Sequence, residues 1–519
     1  MFLPLSKVFI GPLVPRSLRF LVMVLEHLEP RLVWEIFEMV FTATPRESKK
    51  EEKIREVLKT WIRARAESEG IDVVVVEDDT GNILVKVPAT SGMESYPSVL
   101  LQGHMDMVCE TDRPDGFDFD NSPIPVRIQD NGEWVDADGT TLGADNGIGV
   151  SLGLALIFDK DVKHGPLELL ITVDEETGLV GAFGLEPEKM GIESRLLMNL
   201  DSESLGVITI GSAGGGDTTL TKTLERHEAQ SKTFYVLEVK GLFGGHSGVD
   251  IHKHRANANK IVARILSSLT REMDVALAHW TGGDKHNAIP RESLAKFAVP
   301  SDRTDDAERI IAGVSRHILD YYTSGSKKLE PDIEITWKKT ESIRVFSNEE
   351  SMNIIATVDI VPHGPLAFSP HVPGLVETSN NLAVVKTLDD GVTVMLSTRS
   401  SVDDELEAFR GTLQNLAAVA GWEVTLKDAY PGWNPDPDSP FLKFVHQHYE
   451  RLLGKEVRVE AIHAGLECGI IGSKIPGLQM LSVGPGLKNP HTPDEKVHIA
   501  DVGVMYKLLK EVLANLDKM

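Results

Sequence analysis

Four short apolar runs, far apart in the chain, each stop at residues able to bind a metal or carry a proton. Val99-Leu100-Leu101-Gln102-Gly103 stops at His104-Met105-Asp106, and Leu167 to Val173 stops at Asp174-Glu175-Glu176. Leu196 to Leu200 stops at Asp201, and Leu478 to Val483 runs into the loop Gly484 to Asp494, which holds His491. Continuous apolar runs of this length suit strands buried on both faces, as in a parallel sheet. Helical periodicity lies between several of them, notably Ile148 to Phe158. The expected fold class is α/β, a mostly parallel, doubly wound sheet with helices on both faces. Functional groups in such sheets gather at the C-terminal ends of strands, where all four polar clusters fall.

Ahead of these runs, Leu32, Val33, Ile36, Phe37 and Val40 recur at helical spacing, and Ile54, Val57, Leu58, Trp61 and Ile62 mark a second helix ended near Gly70. Val73–Glu77 and Ile83–Val87, separated by Asp79-Thr80-Gly81-Asn82, read as a hairpin. The middle of the chain differs. It carries strand patterns at Thr233–Val239, Ile333–Trp337 and Val392–Leu396, and helical ones at Ala256–Leu269 and Asp305–Leu319. None of the four clusters falls there, so the middle is expected to be an α+β domain inserted into the first. The expected divisions are an N-terminal extension at 1–28, a first domain at 29–212 and 401–519, and the insertion at 213–400.

The 519 residues suggest about two to four domains. Lys and Arg number 53 against 78 Asp and Glu, giving 53 − 78 = −25, which opposes nucleic acid or an anionic membrane as partner. Two cysteines, Cys109 and Cys468, exclude a disulfide framework, and a reducing cytoplasm fits. No stretch reaches the roughly 18 apolar residues that span a bilayer. The first 25 residues carry Lys7, Arg16 and Arg19 and no acid before the run Phe20 to Leu25. A targeting peptide and an upstream-start extension are both open, the extension preferred because no small-residue cleavage site follows.

Together, His104, Asp106, Asp145, Glu175, Glu176, Asp201 and His491 form a borderline-hard ligand set suited to zinc, and also to cobalt or manganese. Five of them would suffice for two open metal sites if one carboxylate bridges; two metals about 3.5–4 Å apart can polarise a carbonyl and activate water. Each residue alone has a plainer reading, Asp145 as a helix N-cap and His491 as a loop histidine. Gly149-Val150-Ser151-Leu152-Gly153 matches the serine-hydrolase elbow, but that motif needs a strand before the Ser, and Ser151 lies in a helical run.

The motifs Gly-His-Met-Asp-Met-Val, Thr-Leu-Gly-Ala-Asp-Asn-Gly-Ile-Gly, Asp-Glu-Glu-Thr-Gly, Asn-Leu-Asp-Ser-Glu and Asn-Pro-His-Thr-Pro-Asp-Glu resemble the dinuclear-zinc aminoacylase/carboxypeptidase/dipeptidase family. His463-Ala464-Gly465-Leu466-Glu467-Cys468-Gly469 and His164-Gly165-Pro166-Leu167-Glu168 resemble its aminoacyl-histidine dipeptidase branch. The resemblance implies two zinc ions per subunit, with His104 and Asp201 on one, Glu176 and His491 on the other, and Asp145 bridging. It makes Asp106 the group that orients His104, Glu175 the general base for a water bridging the zincs, and the insertion a lid. In Gly244-Gly245-His246-Ser247-Gly248 it makes His246 the oxyanion stabiliser. Asn287 and Arg399 would hold the substrate's α-carboxylate, and Glu467 would lie near its amino end. A cis peptide between Asp145 and Asn146 is also implied.

The expected activity is metal-dependent hydrolysis of dipeptides, Xaa-His and other unblocked ones. The alternative is an N-acyl amino acid deacylase on the same metals, which would not need Glu467. The expected location is cytoplasmic. Lids of the family can dimerise, and the larger lid of this branch can replace that contact, so a homodimer and a monomer are both open.

Overall fold

The computed structural model describes residues 23–519, so the expectation for the first 25 residues lies almost wholly outside the described part. The chain divides into two compact units: one formed by residues up to Ile208, Pro440–Arg458 and Gly477–Met519, the other by Thr209–Ser439 and Val459–Pro476.

In the first unit, six neighbouring strands follow the order Val74–Glu77, Ile83–Val87, Leu167–Thr172, Val99–His104, Leu196–Asn199, Gln479–Ser482. The last four pair in parallel, and the first two join as the expected antiparallel hairpin. Val99–His104 and Leu167–Thr172 are buried at every residue, which is why their sequences are mostly apolar without alternation; the buried Gln102 and Glu168 within them are hydrogen-bonded. The helix Ala144–Phe158 packs on both, and Ile499–Ala514 packs on that helix. The first expected helix comes as Arg31–Ile36 followed by a π-helical turn, Phe37–Thr42. The second, Glu52–Glu69, ends at Gly70 in the left-handed conformation that glycine adopts most easily.

A small sheet not expected from the sequence orders Leu487–Lys488, Lys496–His498, Trp134–Ala137 and Val126–Ile128. Its first two strands are antiparallel, so the segment bearing His491 is a hairpin loop. Strands of two to four residues are too short to show a period.

The second unit is built on a nine-stranded sheet whose described pairings are all antiparallel. Trp280, Phe297, Ile261, Leu266, Phe346 and Leu396 share its core. The boundary expected at 400 lies instead at 439, a correction with a clear cause. Leu413 and Ala417 of the helix Asp403–Ala420 and Trp422 belong to this same core, and Glu423–Leu426 pairs with Gly214–Thr223. The segment Val459–Pro476 also clusters here rather than with the first unit.

Candidate active site

The first unit brings His104, Asp106, Asp145, Glu175, Glu176, Asp201 and His491 together. Asp145 is central. Its Oδ1 lies 3.1 Å from His104 Nε2 and its Oδ2 lies 3.2 Å from His491 Nε2. Asp201 Oδ1 lies 3.4 Å from the same His104 nitrogen, and Glu176 Oε2 lies 2.9 Å from the same His491 nitrogen. Two donor sets result, His104–Asp145–Asp201 and Asp145–Glu176–His491, each with ligand atoms within 4.8 Å of one another and sharing one carboxylate. Glu175 offers an atom within the same limit of His104 and Glu176.

Local structure fixes these groups. His104 ends its strand, and the peptide Asp145–Asn146 at the start of the long helix is cis, as expected. Asn146 is buried between segments; its Nδ2 donates to Leu200 O at 2.8 Å, one residue before Asp201. A Cβ on Gly103 would collide with Asn146 Oδ1, so only glycine fits before His104. Asp174, Asn489 and His491 all take positive φ without being glycine, as residues beside functional sites often do.

Asp106 is fully buried and contacts His104 Nδ1 at 3.3 Å. It accepts hydrogen bonds from Ser48 Oγ at 2.7 Å and from the backbone N–H groups of Glu175 and Glu176 at 3.0 and 3.3 Å. Burial alone would raise its pKa, but His104 and these donors bring it down to about 2. It thereby ties the orientation of His104 to the turn that carries both glutamates.

The centre has more carboxylates than its imidazoles can neutralise. Burial would lower the pKa of His104, yet the charge of Asp201 and the contacts with Asp106 and Asp145 raise it well above normal. Asp145 and Glu176 push His491 up to about 11. Burial and the Asp145 charge raise Asp201. Glu176 Oε1 and Asp201 Oδ1 are buried without a hydrogen-bond partner among the described residues. Buried carboxylates with oxygens left in this way, beside two imidazoles, fit divalent cations.

The residues expected in the insertion all fall in the second unit. Arg399 is 6% exposed; its Nε donates to Ser247 Oγ at 3.3 Å and its Nη1 to Tyr430 Oη at 2.9 Å. Among the described residues it pairs with no carboxylate, and Asp403 instead accepts from Gly432 N. His246 Nδ1 faces the N–H groups of Gly248 and Val249 at 3.2 and 3.3 Å. Burial and the nearby Arg399 charge lower its pKa. The neutral ring with Nδ1 accepting must carry its proton on Nε2. Asn287 is held by its flanks: Asn381 Nδ2 donates to His286 O and Ala288 O, and Ser247 N donates to Asn287 O. Glu467 is buried at the first turn of Glu467–Lys474.

A family model for Peptidase family M20/M25/M40 matches residues 100–515. The chain belongs to that family. This M20-family chain is 39% identical over 491 residues to the cytosol non-specific dipeptidase of Escherichia coli, covering 94% of this chain and 98% of that protein. The solved aminoacylhistidine dipeptidase of Vibrio alginolyticus superposes with a TM-score of 0.86 at 38% identity, covering 95% and 98% of the two chains. A tripeptidase from Staphylococcus aureus shares the fold at a TM-score of 0.54 and 16% identity.

Several residues that contact or flank the candidate groups of each unit of this M20 chain were not foreseen from its sequence. Ser48 and Tyr430 lie in segments with no strand-end signal. Glu203 follows Asp201 by two residues; burial and the Asp145 charge raise it to about 7. Arg46 and Glu495 surround the Asp145 turn.

Proposed function

We propose that the chain hydrolyses unblocked dipeptides, Xaa-His among them, with two divalent metal ions, zinc by assignment, in the cytoplasm. The observation that carries this reading is the pair of donor sets sharing Asp145, one carboxylate oxygen facing each imidazole. The similarity to two proteins named as dipeptidases supports the substrate class.

His104 and Asp201 would hold one metal and Glu176 and His491 the other, with Asp145 between them and Asp106 fixing the imidazole of His104. The bound metals would supply a Lewis acid for the scissile carbonyl and a lowered pKa for water. Glu175 takes the proton from the attacking water and passes it to the leaving amine. His246 donates its Nε2–H to the developing oxyanion. Arg399 carries a buried positive charge with two hydroxyl partners, a setting suited to a free α-carboxylate, and Asn287 is the second group assigned to that end. Glu467 is assigned to the substrate's amino group.

The test is hydrolysis of Xaa-His and Xaa-Gly dipeptides beside N-acetyl amino acids, before and after chelation. We expect cleavage of the dipeptides only, lost with chelator and restored by zinc. Preferential cleavage of the N-acetyl substrates would replace this reading with a deacylase.

A further inference from the structure

The candidate ligands come from segments far apart in the chain, and two buried ions outside the ligand set hold those segments together. Four successive backbone N–H groups converge on Glu495. Leu142 and Gly143 donate to its Oε2 at 2.8 and 2.9 Å, and Ala144 and Asp145 donate to its Oε1 at 2.7 and 3.2 Å. Glu495 is 2% exposed and closes the hairpin loop that carries His491. The carbonyls are held by Arg46. Its Nη2 donates to Gly143 O, its Nη1 to Met105 O and Asp106 O at 2.9 Å each, and its Nε to Phe41 O at 3.3 Å. A Cβ on Gly143, where φ is +71°, would strike Arg46 and Met107, so the guanidinium fits only because that residue is glycine.

We propose that Glu495 and Arg46 are positioning residues that set the spacing of Asp145 against His104 and His491. Glu495 straps the His491 loop to the Asp145 turn, and Arg46 straps that turn to the segment after His104. The inference rests on the two-metal reading of the site. Because Asp145 is shared by both donor sets, displacing its turn weakens both metals together rather than one.

A carboxylate offers acceptors to all four N–H groups, whereas a glutamine turns an NH₂ toward two of them. Glu495→Gln should therefore weaken binding of both metals roughly 10–100-fold, the usual cost of disturbing groups that orient ligands. Glu495→Asp keeps the charge and should recover part of the loss. Glu168→Gln is the control, since Glu168 is another buried glutamate of the same unit that accepts backbone N–H groups, from Glu193 and Ser194. It should lower the melting temperature of the metal-free protein yet leave metal affinity near wild type. The readouts are zinc titration against a chromophoric chelator, the visible spectrum of the cobalt form, and metal-free melting. Wild-type affinity at both sites in Glu495→Gln overturns the proposal, as does an equal affinity loss in Glu168→Gln. Should Glu495→Gln not fold, Glu495→Asp and Arg46→Lys decide: wild-type affinity in both overturns it, and weakening of both metals together supports it. A wild-type protein that takes up no metal would defeat the two-metal reading itself, a distinct result.

Discussion

In the first unit Asp106, Asp145, Glu176 and Asp201 crowd around two imidazoles, whereas in the second a single guanidinium, Arg399, is held by two hydroxyls with no carboxylate beside it among the described residues. Each arrangement is costly until charge of the opposite sign arrives, since buried ions are stable only when paired. The first therefore suits cations and the second an anion. The contrast separates two quantities that activity alone mixes. Changes in the first unit should act on metal content and kcat, and changes around Arg399 on KM.

The strongest break of that contrast lies between neighbours. Glu175→Gln should cut kcat by roughly 10²–10⁴-fold, the usual share of general acid–base catalysis, while metal content stays near wild type. Glu176→Gln should instead lose metal, with partial recovery in excess zinc. Metal stoichiometry measured beside activity decides, and the opposite pattern would exchange the two roles. The next effect belongs to the second unit. Arg399→Ala should raise KM roughly 10–100-fold, matching the loss of a hydrogen bond to a charged group. Metal content and kcat should hold, and a C-terminally amidated dipeptide should not tell variant from wild type. A kcat loss without a KM change would remove Arg399 from substrate binding.

The smallest effect concerns stability. His463 is buried with Nε2 2.7 Å from Ser379 Oγ, and burial, with the Arg399 charge, pushes it down to about 3. Its folded pKa lies below the unfolded value, so the unfolded chain takes the proton more readily. Stability is flat above about pH 6.5 and falls as pH drops from there toward 3, by about 2 kcal/mol at pH 5 from this group. Urea unfolding at pH 7.5 and pH 5 should show that difference in the wild type and its absence in His463→Gln. Equal pH sensitivity in the two would refute it.

The ligand candidates were legible because a fully buried strand is mostly apolar, so its end is visible where clustered polar residues return, as at His104 and Asp201. Glu495 carried no such mark. Its partners are backbone N–H groups of residues 142–145, and any sequence supplies those. Arg46 is hidden for the same reason, since it binds carbonyls. The helix Asp403–Ala420 shows its amphipathic stripe plainly, yet a stripe does not name the core it enters, which is why the boundary moved from 400 to 439. The His491 hairpin escaped notice because its strands are too short to have a period.

The strand Gln479–Ser482 lies beside Leu196–Asn199 in parallel register, and it follows every other strand of that sheet in the chain. A ribosome releases it only after the other strands of that sheet have emerged. Until then Leu196–Asn199 has an open edge on that side, a surface prone to pairing with other chains. The helix Ile499–Ala514 and the His491 loop arrive with the same segment. Completion of the sheet and assembly of the candidate metal centre are thus a single late event in synthesis, so a prematurely terminated chain would carry neither a finished fold nor a working hydrolytic centre.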